Sequence, residues 1–276
     1  MTHRQRRSAL FMPAANARAI EKARTLDCDV VILDLEDSVA PERKAAARDA
    51  AVAAIGQGGF GPRELVVRAN GLDTPWRAAD CAALAAARPD AILLPKIATP
   101  ADLAAARAAI GTAVPLWAMI ETCAAILNLP ALSAAAGAHG LTCLIAGTND
   151  LAKEMRCRPD AARTPLLPAL AQIVTAARAA GITALDAVCN VLEDGPLLAA
   201  ECAQGAMFGF DGKSLVHPAQ IAAANRAFDA GAARIAWAKA VVAAFARPEN
   251  ADKGAIRVDG EMIERLHLAE AERLLG

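Results

Sequence analysis

The chain has 276 residues, of which 55% are hydrophobic, 21% charged and 3% aromatic, and it contains no tyrosine. This composition excludes an intrinsically disordered chain and a collagen-like or disulfide-scaffold protein. Its 29 Lys and Arg residues balance 30 Asp and Glu residues, and the net charge of −1 argues against bulk electrostatic binding to nucleic acid.

The apolar runs of the sequence are short. None reaches the roughly 18 residues that a membrane-spanning helix needs, so we expect no membrane partner. The apolar stretch that begins at Ser8 is interrupted by Pro13 and Asn16, which is unlike the core of a signal peptide. We therefore expect a cytoplasmic protein.

Eight β-rich runs recur along the chain at a spacing of roughly 25 residues. They span 8–12, 30–35, 65–70, 91–95, 116–121, 142–147, 182–186 and 206–210. Most are apolar at consecutive positions, which is typical of parallel strands covered on both faces. Ala-rich helical segments lie between them, and Gly181 and Gly205 stand before the last two strands, where helices are expected to end. This alternation predicts an α/β fold, a (β/α)8 TIM barrel over residues 1–231.

The residues after the eighth run are more than the barrel needs. We predict a helix at 232–246, a linker at 247–260 and a final amphipathic helix at 261–275. Residues 232–276 would then form a C-terminal helical extension that acts as a lid and packs on a neighbouring subunit.

Ionisable and amide side chains stand where the predicted strands end. Because barrel active sites lie at the carboxyl ends of the strands, we expect these side chains to share one mouth. They are Arg18, Asp34, Glu36, Asp37, Arg68, Asn70, Lys96, Glu121, Asn149, Asp150, Asp186, Asp211 and Lys213.

Two of these carboxylates, Glu121 and Asp150, follow neighbouring apolar strands and have no His or Cys beside them. Such a pair suits a hard cation that keeps several water ligands, and therefore Mg²⁺. The alternative is that both carboxylates belong to a structural ion network with Arg68 or Lys96. The spacing alone leaves both interpretations open.

Arg68 ends an apolar strand, where an unpaired guanidinium would be costly. Its planar fork suits a substrate carboxylate or an enolate oxygen, and the alternative is a salt bridge within the acidic run 34–37. Glu36 and Asp37 of that run would support either Arg68 or the water ligands of the metal, unless the run is only an exposed acidic loop.

Seven motifs surround these positions. They are Leu10-Phe11-Met12-Pro13-Ala14, Ile32-Leu33-Asp34-Leu35-Glu36-Asp37-Ser38-Val39, Val67-Arg68-Ala69-Asn70, Leu94-Pro95-Lys96, Ile120-Glu121-Thr122, Gly147-Thr148-Asn149-Asp150 and the run from Gly209 to Ile221. Together they resemble the citrate lyase beta-chain-like family of acyl-CoA lyases over nearly the whole chain.

This resemblance implies a TIM barrel that assembles as homotrimers or hexamers. It also implies a reversible Claisen cleavage of a β-hydroxyacyl thioester into acetyl-CoA and an α-keto acid. By resemblance, Glu121 and Asp150 are the Mg²⁺ ligands, and Arg68 stabilises the acetyl-CoA enolate. The residues that correspond to the CoA-binding positions of the family are Phe11, Arg18, Lys22, Ser214 and Leu215.

The tail carries a further element of the resemblance. In relatives, a Met-Ile-Asp or Met-Val-Asp motif opens the last helix, and its Asp protonates the enolate in the neighbouring subunit. Here the motif is Met262-Ile263-Glu264, so Glu264 is the candidate acid and Asp259 is its competitor.

The resemblance therefore favours a Mg²⁺-dependent lyase that cleaves citramalyl-CoA to acetyl-CoA and pyruvate. The alternatives are a malyl-CoA lyase and a citrate lyase beta subunit that acts on a citryl thioester of a carrier protein. Outside the enzymes, the alternative is a non-catalytic assembly subunit with the same fold.

Overall fold

The computed structural model describes residues 4–192 and 195–275. Eight parallel strands form a closed barrel in chain order, and β1 pairs with β8 through Ala9 and Ser214 to close it. The strands are β1 (Ser8–Pro13), β2 (Val30–Asp34), β3 (Glu64–Arg68), β4 (Ala91–Leu94), β5 (Leu116–Ile120), β6 (Leu141–Ala146), β7 (Thr183–Asp186) and β8 (Gly212–Leu215). The predicted (β/α)8 TIM barrel is confirmed.

Helices connect the strands and surround the barrel. They are α1 (Ala17–Ala23), α2 (Lys44–Gln57), α3 (Arg77–Ala87), α4 (Pro100–Ile110), α5 (Cys123–His139), α6 (Thr148–Met155), α7 (Leu167–Ala180), α8 (Pro196–Phe208) and α9 (Ile221–Ala227). Their ends follow local chemistry, as in α4, where the Thr99 side chain accepts a hydrogen bond from Asp102 N and Gly111 ends the helix at φ +64°. Among the described residues, no helix is both long and apolar enough to cross a membrane.

The strands bury their side chains in two separate cores. Inward-facing residues such as Ile32, Leu93 and Trp117 fill the barrel interior. Outward-facing residues pack against the helices, where alanines such as Ala47 and Ala51 are fully buried. These small side chains let the helices lie close to the sheet, which is how a chain with few aromatic residues fills its core.

An ion pair closes the amino end of the barrel. Arg6 donates through Nε and Nη2 to Glu64 at 2.6 and 2.8 Å and through Nη1 to Thr183 Oγ1 at 2.6 Å. Its guanidinium lies 4.9 Å from the centroid of the Trp117 ring. Glu64 and Thr183 are the first residues of β3 and β7, so this cluster fills the end opposite to the carboxyl ends of the strands.

The chain divides into two compact units, Arg6–Phe228 and a second unit that contains residues 229–275 together with residues 4 and 5. The second unit contains α10 (Gly231–Phe245), β9 (Ala255–Val258), β10 (Glu261–Glu264) and α11 (Arg265–Leu275). Ala238, Val241, Phe245, Ile256, Ile263 and Ala271 form its own core. The expected division between residues 231 and 232 is close to this boundary. Residues 1–3 and 276 lie outside the described residues. The lid role of the C-terminal unit stays a proposal.

The predicted eighth strand at 206–210 is wrong. Residues 206–208 are the last residues of α8, which Gly209 caps with φ +92°, and Gly205 lies inside that helix rather than at its end. The true strand, β8, contains Lys213, whose Nζ is fully buried between Asp186 Oδ2 at 3.1 Å and Glu201 Oε2 at 2.9 Å. A buried lysine with two carboxylate partners interrupts the apolar pattern that marks the other strands.

The prediction for the end of the chain is also corrected. Strands β9 and β10 pair as an antiparallel hairpin, so 247–260 is not a continuous linker and the last helix begins at Arg265 rather than at 261. Asp259 and Gly260 form the turn with φ +49° and +93°. An Asp-Gly pair with positive φ at both positions is the preferred two-residue hairpin connection, so Asp259 has a backbone role.

Candidate active site

A pocket of about 340 Å³ lies at the carboxyl ends of the barrel strands. Its walls include Arg68, Glu121 and Asp150, together with Phe11, Asp37 and Ser214. The two carboxylates and the guanidinium therefore share one mouth of the barrel, although they are far apart in sequence.

Arg68, the last residue of β3, is held on several sides. Its Nε and Nη2 donate to the two carboxylate oxygens of Asp34, both at 2.7 Å. Its Nη1 lies 2.9 Å from Glu36 Oε2 and 3.7 Å from Asp37 Oδ2, and the Phe11 ring centroid is 4.9 Å from the guanidinium. Burial opposes the charge, but the Asp34 carboxylate raises the pKa of Arg68, so the guanidinium stays protonated.

Asp34 organises both Arg68 and the acidic run. Besides Arg68, its carboxylate accepts backbone hydrogen bonds from Glu36 N at 2.9 Å and Ser38 N at 3.1 Å. Lys44 also holds the backbone of this run, because its Nζ donates to Leu35 O at 2.9 Å and to Glu36 O at 2.7 Å. The salt bridge considered as an alternative use of Arg68 is thus present, and it fixes the direction of a guanidinium that also lines the pocket.

Glu121 directly follows β5 and is 1% exposed. Its Oε1 accepts a hydrogen bond of 2.7 Å from the backbone N of Lys96, a residue whose φ of +53° aims that amide at the carboxylate. Burial and the nearby charges of Glu36 and Asp150 raise the pKa of Glu121 to about 7. Because burial is the largest cause, a positive group beside this carboxylate would favour its ionised form.

Charge balance supports a divalent cation at this mouth. Three cations, Lys44, Arg68 and Lys96, face the acidic groups, which leaves two negative charges when every carboxylate is ionised. The five carboxylates are those of Asp34, Glu36, Asp37, Glu121 and Asp150. Among the described residues, no group of three or more His, Cys, Asp or Glu side chains forms a complete metal cage. A pair of carboxylates in a pocket with room for water fits Mg²⁺, which usually keeps several of its waters.

Gly147 gives Glu121 the space that it occupies. A Cβ at residue 147 would lie 2.4 Å from Glu121 Cβ and 2.8 Å from Glu121 Oε2. Any larger residue at this position would therefore push the carboxylate out of its place.

We expect Gly147→Ala to displace Glu121 and to weaken Mg²⁺ binding about tenfold or more, with a loss of about 1 to 3 kcal/mol in the free energy of unfolding. Isothermal titration with Mg²⁺ and thermal denaturation measure the two effects. The control is Gly137→Ala in α5, where an added Cβ meets nothing within 4 Å. Equal Mg²⁺ affinity in both variants would contradict the role of Gly147.

The residues predicted to bind CoA are spread over three places. Phe11 and Ser214 line the pocket, and Ser214 Oγ donates to Asp186 O at 2.9 Å. Arg18 and Lys22 are exposed, one turn apart on α1. The Leu215 side chain is fully buried among the outward-facing residues of the barrel, so only its backbone is left for a ligand.

The expectation that every strand-end ionisable residue shares one mouth is wrong in part. Lys213 pairs with Asp186 and with Glu201 of α8, and Asp186 also pairs with Arg163 Nη1, outside that helix, at 2.8 Å. Asp211 precedes β8, because that strand begins later than predicted, and it pairs with Arg178 at 2.9 Å.

Three residues that shape the pocket were missed as functional candidates. Met119 and Lys44 look like ordinary core and helix residues in the sequence, and Gly147 counted only as part of a motif. For Gly147 a signal existed, since a glycine directly after an apolar strand often marks a close approach of another group.

The chain matches the HpcH/HpaI aldolase/citrate lyase family model over residues 7–218. It is 44% identical to a (3S)-malyl-CoA thioesterase of Cereibacter sphaeroides over 98% of this chain and 93% of the relative. It is 32% identical to the citrate lyase subunit beta of Leuconostoc mesenteroides, with 99% and 93% coverage. It is 28% identical to the human mitochondrial citramalyl-CoA lyase, with 97% and 84% coverage.

Among solved structures, the chain resembles the protein CitE of Mycobacterium tuberculosis in complex with magnesium, acetoacetate and coenzyme A. The TM-score is 0.77 at 29% identity, with 97% of this chain and 96% of that chain covered. Sequence and structure comparisons therefore agree on the same group of proteins.

Proposed function

Because the chain belongs to the HpcH/HpaI aldolase/citrate lyase family, we propose that it acts on short β-hydroxyacyl thioesters of coenzyme A in a Mg²⁺-dependent reaction. The observation that carries this proposal is the pocket in which Glu121 and Asp150 stand beside a buried, clamped Arg68. Such a pocket suits a divalent cation that binds a hydroxy acid, and it presents a fixed guanidinium to a thioester carbonyl.

Within this substrate class, we propose hydrolysis of (3S)-malyl-CoA as the first candidate reaction. It is supported by the 44% identity to a (3S)-malyl-CoA thioesterase over nearly the whole chain. Water adds its oxygen to the thioester carbon, the carbon–sulfur bond breaks, and the CoA sulfur takes up a proton. The products are malate and free CoA.

The second candidate is carbon–carbon cleavage of citramalyl-CoA, for which the similarity to a citramalyl-CoA lyase is the support. The hydroxyl loses its proton, the bond between the hydroxyl-bearing carbon and its methylene neighbour breaks, and the acetyl-CoA enolate takes up a proton. Cleavage of malyl-CoA to glyoxylate follows the same course.

The same side chains serve both candidates. In either reaction negative charge develops on the thioester carbonyl oxygen, and Arg68 is the donor that we assign to it. Glu121 and Asp150 would hold Mg²⁺, which supplies Lewis-acid polarisation of the substrate's hydroxyl or keto oxygen. The first turn of α6, which has no side-chain cap and lines the pocket, presents backbone N–H groups suited to the substrate carboxylate. Arg18 and Lys22 are assigned to the CoA phosphates.

Product analysis tests the proposal and separates the two candidates. The protein is incubated with malyl-CoA and with citramalyl-CoA, with Mg²⁺ or with EDTA, and free thiol, acetyl-CoA and keto acid are quantified. Free thiol with malate supports hydrolysis, and acetyl-CoA with glyoxylate or pyruvate supports cleavage. No Mg²⁺-dependent turnover of these thioesters or of citryl-CoA would contradict the proposal and favour a non-catalytic assembly subunit.

We propose Glu264 as the proton-transferring carboxylate that one subunit supplies to its neighbour. The competitor Asp259 occupies the hairpin turn, whereas Glu264 is half-buried at the end of β10. We expect Glu264→Gln and Arg68→Lys each to be nearly inactive, and co-expression of the two variants to restore activity in mixed oligomers. Steady-state rates of purified mixed oligomers, with Asp259→Asn as control, measure this.

A point substitution suits that experiment better than a truncation. Ile263 and Ala271 belong to the core of the C-terminal unit, so deletion of 261–276 would unfold it. Failure of well-mixed oligomers to recover activity would favour a carboxylate that acts within its own subunit.

A further inference from the structure

Asp37 presents an exposed carboxylate to the active-site pocket. Its side chain is 62% exposed and lines the pocket, whereas the side chains of Asp34 and Glu36 are 3% and 8% exposed. Arg68 binds both carboxylate oxygens of Asp34, and its Nη1 lies 2.9 Å from Glu36 Oε2. The two buried carboxylates are therefore committed to holding the guanidinium.

The remaining two carboxylates of this mouth, Glu121 and Asp150, are assigned to Mg²⁺. A carboxylate must stay deprotonated while it binds a metal ion. Of the five carboxylates that the described residues bring to the mouth, Asp37 is thus the one that is left for proton transfer within its own subunit.

The backbone around Asp37 is held in place although its carboxylate is exposed. The Asp34 carboxylate accepts hydrogen bonds from the backbone N of Glu36 at 2.9 Å and of Ser38 at 3.1 Å, the two residues that flank Asp37. The backbone N of Val39 donates to Glu36 O at 3.0 Å and closes the same turn. The turn therefore presents the Asp37 carboxylate from a fixed position, as a group that takes part in catalysis requires.

Asp37 lies beside the guanidinium nitrogen that Asp34 does not bind. Asp34 accepts from Nε and Nη2 of Arg68, and Asp37 Oδ2 lies 3.7 Å from the remaining nitrogen, Nη1. This distance exceeds a direct hydrogen bond, so the carboxylate is near the guanidinium without being bound to it. Nη1 carries two hydrogens, and Glu36 engages at most one of them. A thioester carbonyl oxygen on Nη1 would therefore bring its carbon within reach of a water molecule held by Asp37.

We propose that Asp37 is the general base that activates water for hydrolysis of the thioester. The inference rests on the proposed function and adds a catalytic residue to its first candidate reaction. The water oxygen adds to the thioester carbon while one water proton moves to Asp37, and Arg68 binds the oxygen on which negative charge develops.

The second half of the reaction needs an acid. The carbon–sulfur bond breaks with its electron pair on sulfur, and the sulfur takes up a proton from Glu264, the carboxyl group that we propose the neighbouring subunit supplies. Asp37 then loses its proton to solvent and Glu264 regains one. The sum is one thioester and one water converted into one carboxylic acid and one thiol.

The test compares release of free thiol from malyl-CoA by the wild type, Asp37→Asn and Asp73→Asn. Asparagine keeps the size of the side chain but cannot take up the proton, so we expect kcat of Asp37→Asn to fall about 100-fold or more. Its KM should stay within about twofold of the wild type, because the base acts only in the transition state. Asp73→Asn is the matched control and should keep the wild-type kcat, since Asp73 is an exposed carboxylate in the loop after β3 and is not part of the pocket wall.

Hydroxylamine distinguishes a base from a residue that only supports Arg68. Its neutral nitrogen attacks a thioester without first losing a proton, so this reaction does not need the carboxylate. Asp37→Asn should therefore form the hydroxamate at close to the wild-type rate, after subtraction of the rate without protein. Wild-type hydrolysis by Asp37→Asn, or no restoration by hydroxylamine, would show that Asp37 is not the base while the proposed function stands.

The products of the wild type separate failure of this inference from failure of the proposed function. Acetyl-CoA and keto acid without free thiol would mean that Asp37 activates no water, although the chain acts on the proposed class of substrates. If the wild type turns over none of these thioesters, the proposed function itself fails and the role of Asp37 fails with it.

Discussion

The Glu121→Gln variant is expected to lose Mg²⁺ binding and activity while keeping its fold. The amide retains the size of the side chain and an oxygen that accepts the hydrogen bond from Lys96 N. It removes the negative charge that a hard cation requires. We expect Mg²⁺ affinity to fall about 100-fold or more, since loss of a mere supporting group already costs about 10- to 100-fold.

Calorimetric titration with Mg²⁺ measures the metal affinity of this variant, and thermal denaturation measures its stability. The control is Glu154→Gln, which makes the same chemical change in α6 at a carboxylate that accepts from Cys123 N. Wild-type Mg²⁺ affinity in Glu121→Gln would remove Glu121 from the metal site and leave it as a member of a structural ion network.

The Arg68→Lys variant is expected to have a lower kcat and an almost unchanged KM for the substrate. Lysine keeps one charge but cannot reproduce the fork that binds both Asp34 oxygens while it faces the pocket. Loss of one oriented oxyanion donor lowers kcat by about 100- to 1,000-fold, and this holds for hydrolysis and for cleavage because both charge the same oxygen.

Stability must be measured in parallel, because Asp34 loses part of its hydrogen bonding in this variant. We expect a cost of about 1 to 3 kcal/mol in the free energy of unfolding. Arg48→Lys is the control, since Arg48 pairs with the buried Asp80 at 3.3 Å. A rise in KM with unchanged kcat would instead mean that Arg68 only holds the substrate.

Most of the fold was predictable because seven of the eight strands lie close to runs that are mostly apolar in the sequence. The eighth was misplaced because its buried lysine is stabilised by Asp186 and Glu201, and partners of that kind are visible only in three dimensions. The final hairpin was missed because Met262-Ile263-Glu264 fits a helical pattern as well as a short strand.

Some of the site residues could likewise be predicted from the sequence, and others could not. Charged residues at strand ends stand out in an apolar sequence, and this made Arg68, Glu121 and Asp150 candidates from the start. Met119 has the composition of a core residue, and its place between a guanidinium and a glycine depends on the register of β5 against β6. Such contacts follow from pairing across strands and not from neighbours in sequence.

The ion pair between Arg6 and Glu64 determines by which end of the barrel a substrate can enter and products can leave. Arg6 and Trp117 close the amino end of the barrel. Substrate and products therefore enter and leave the active-site pocket through its opening at the carboxyl ends of the strands. For the proposed CoA thioester, the acyl part would enter first and lie deepest, with the CoA nucleotide nearer the opening. We therefore expect departures to be ordered, with the CoA-bearing product leaving before the small acid trapped beneath it.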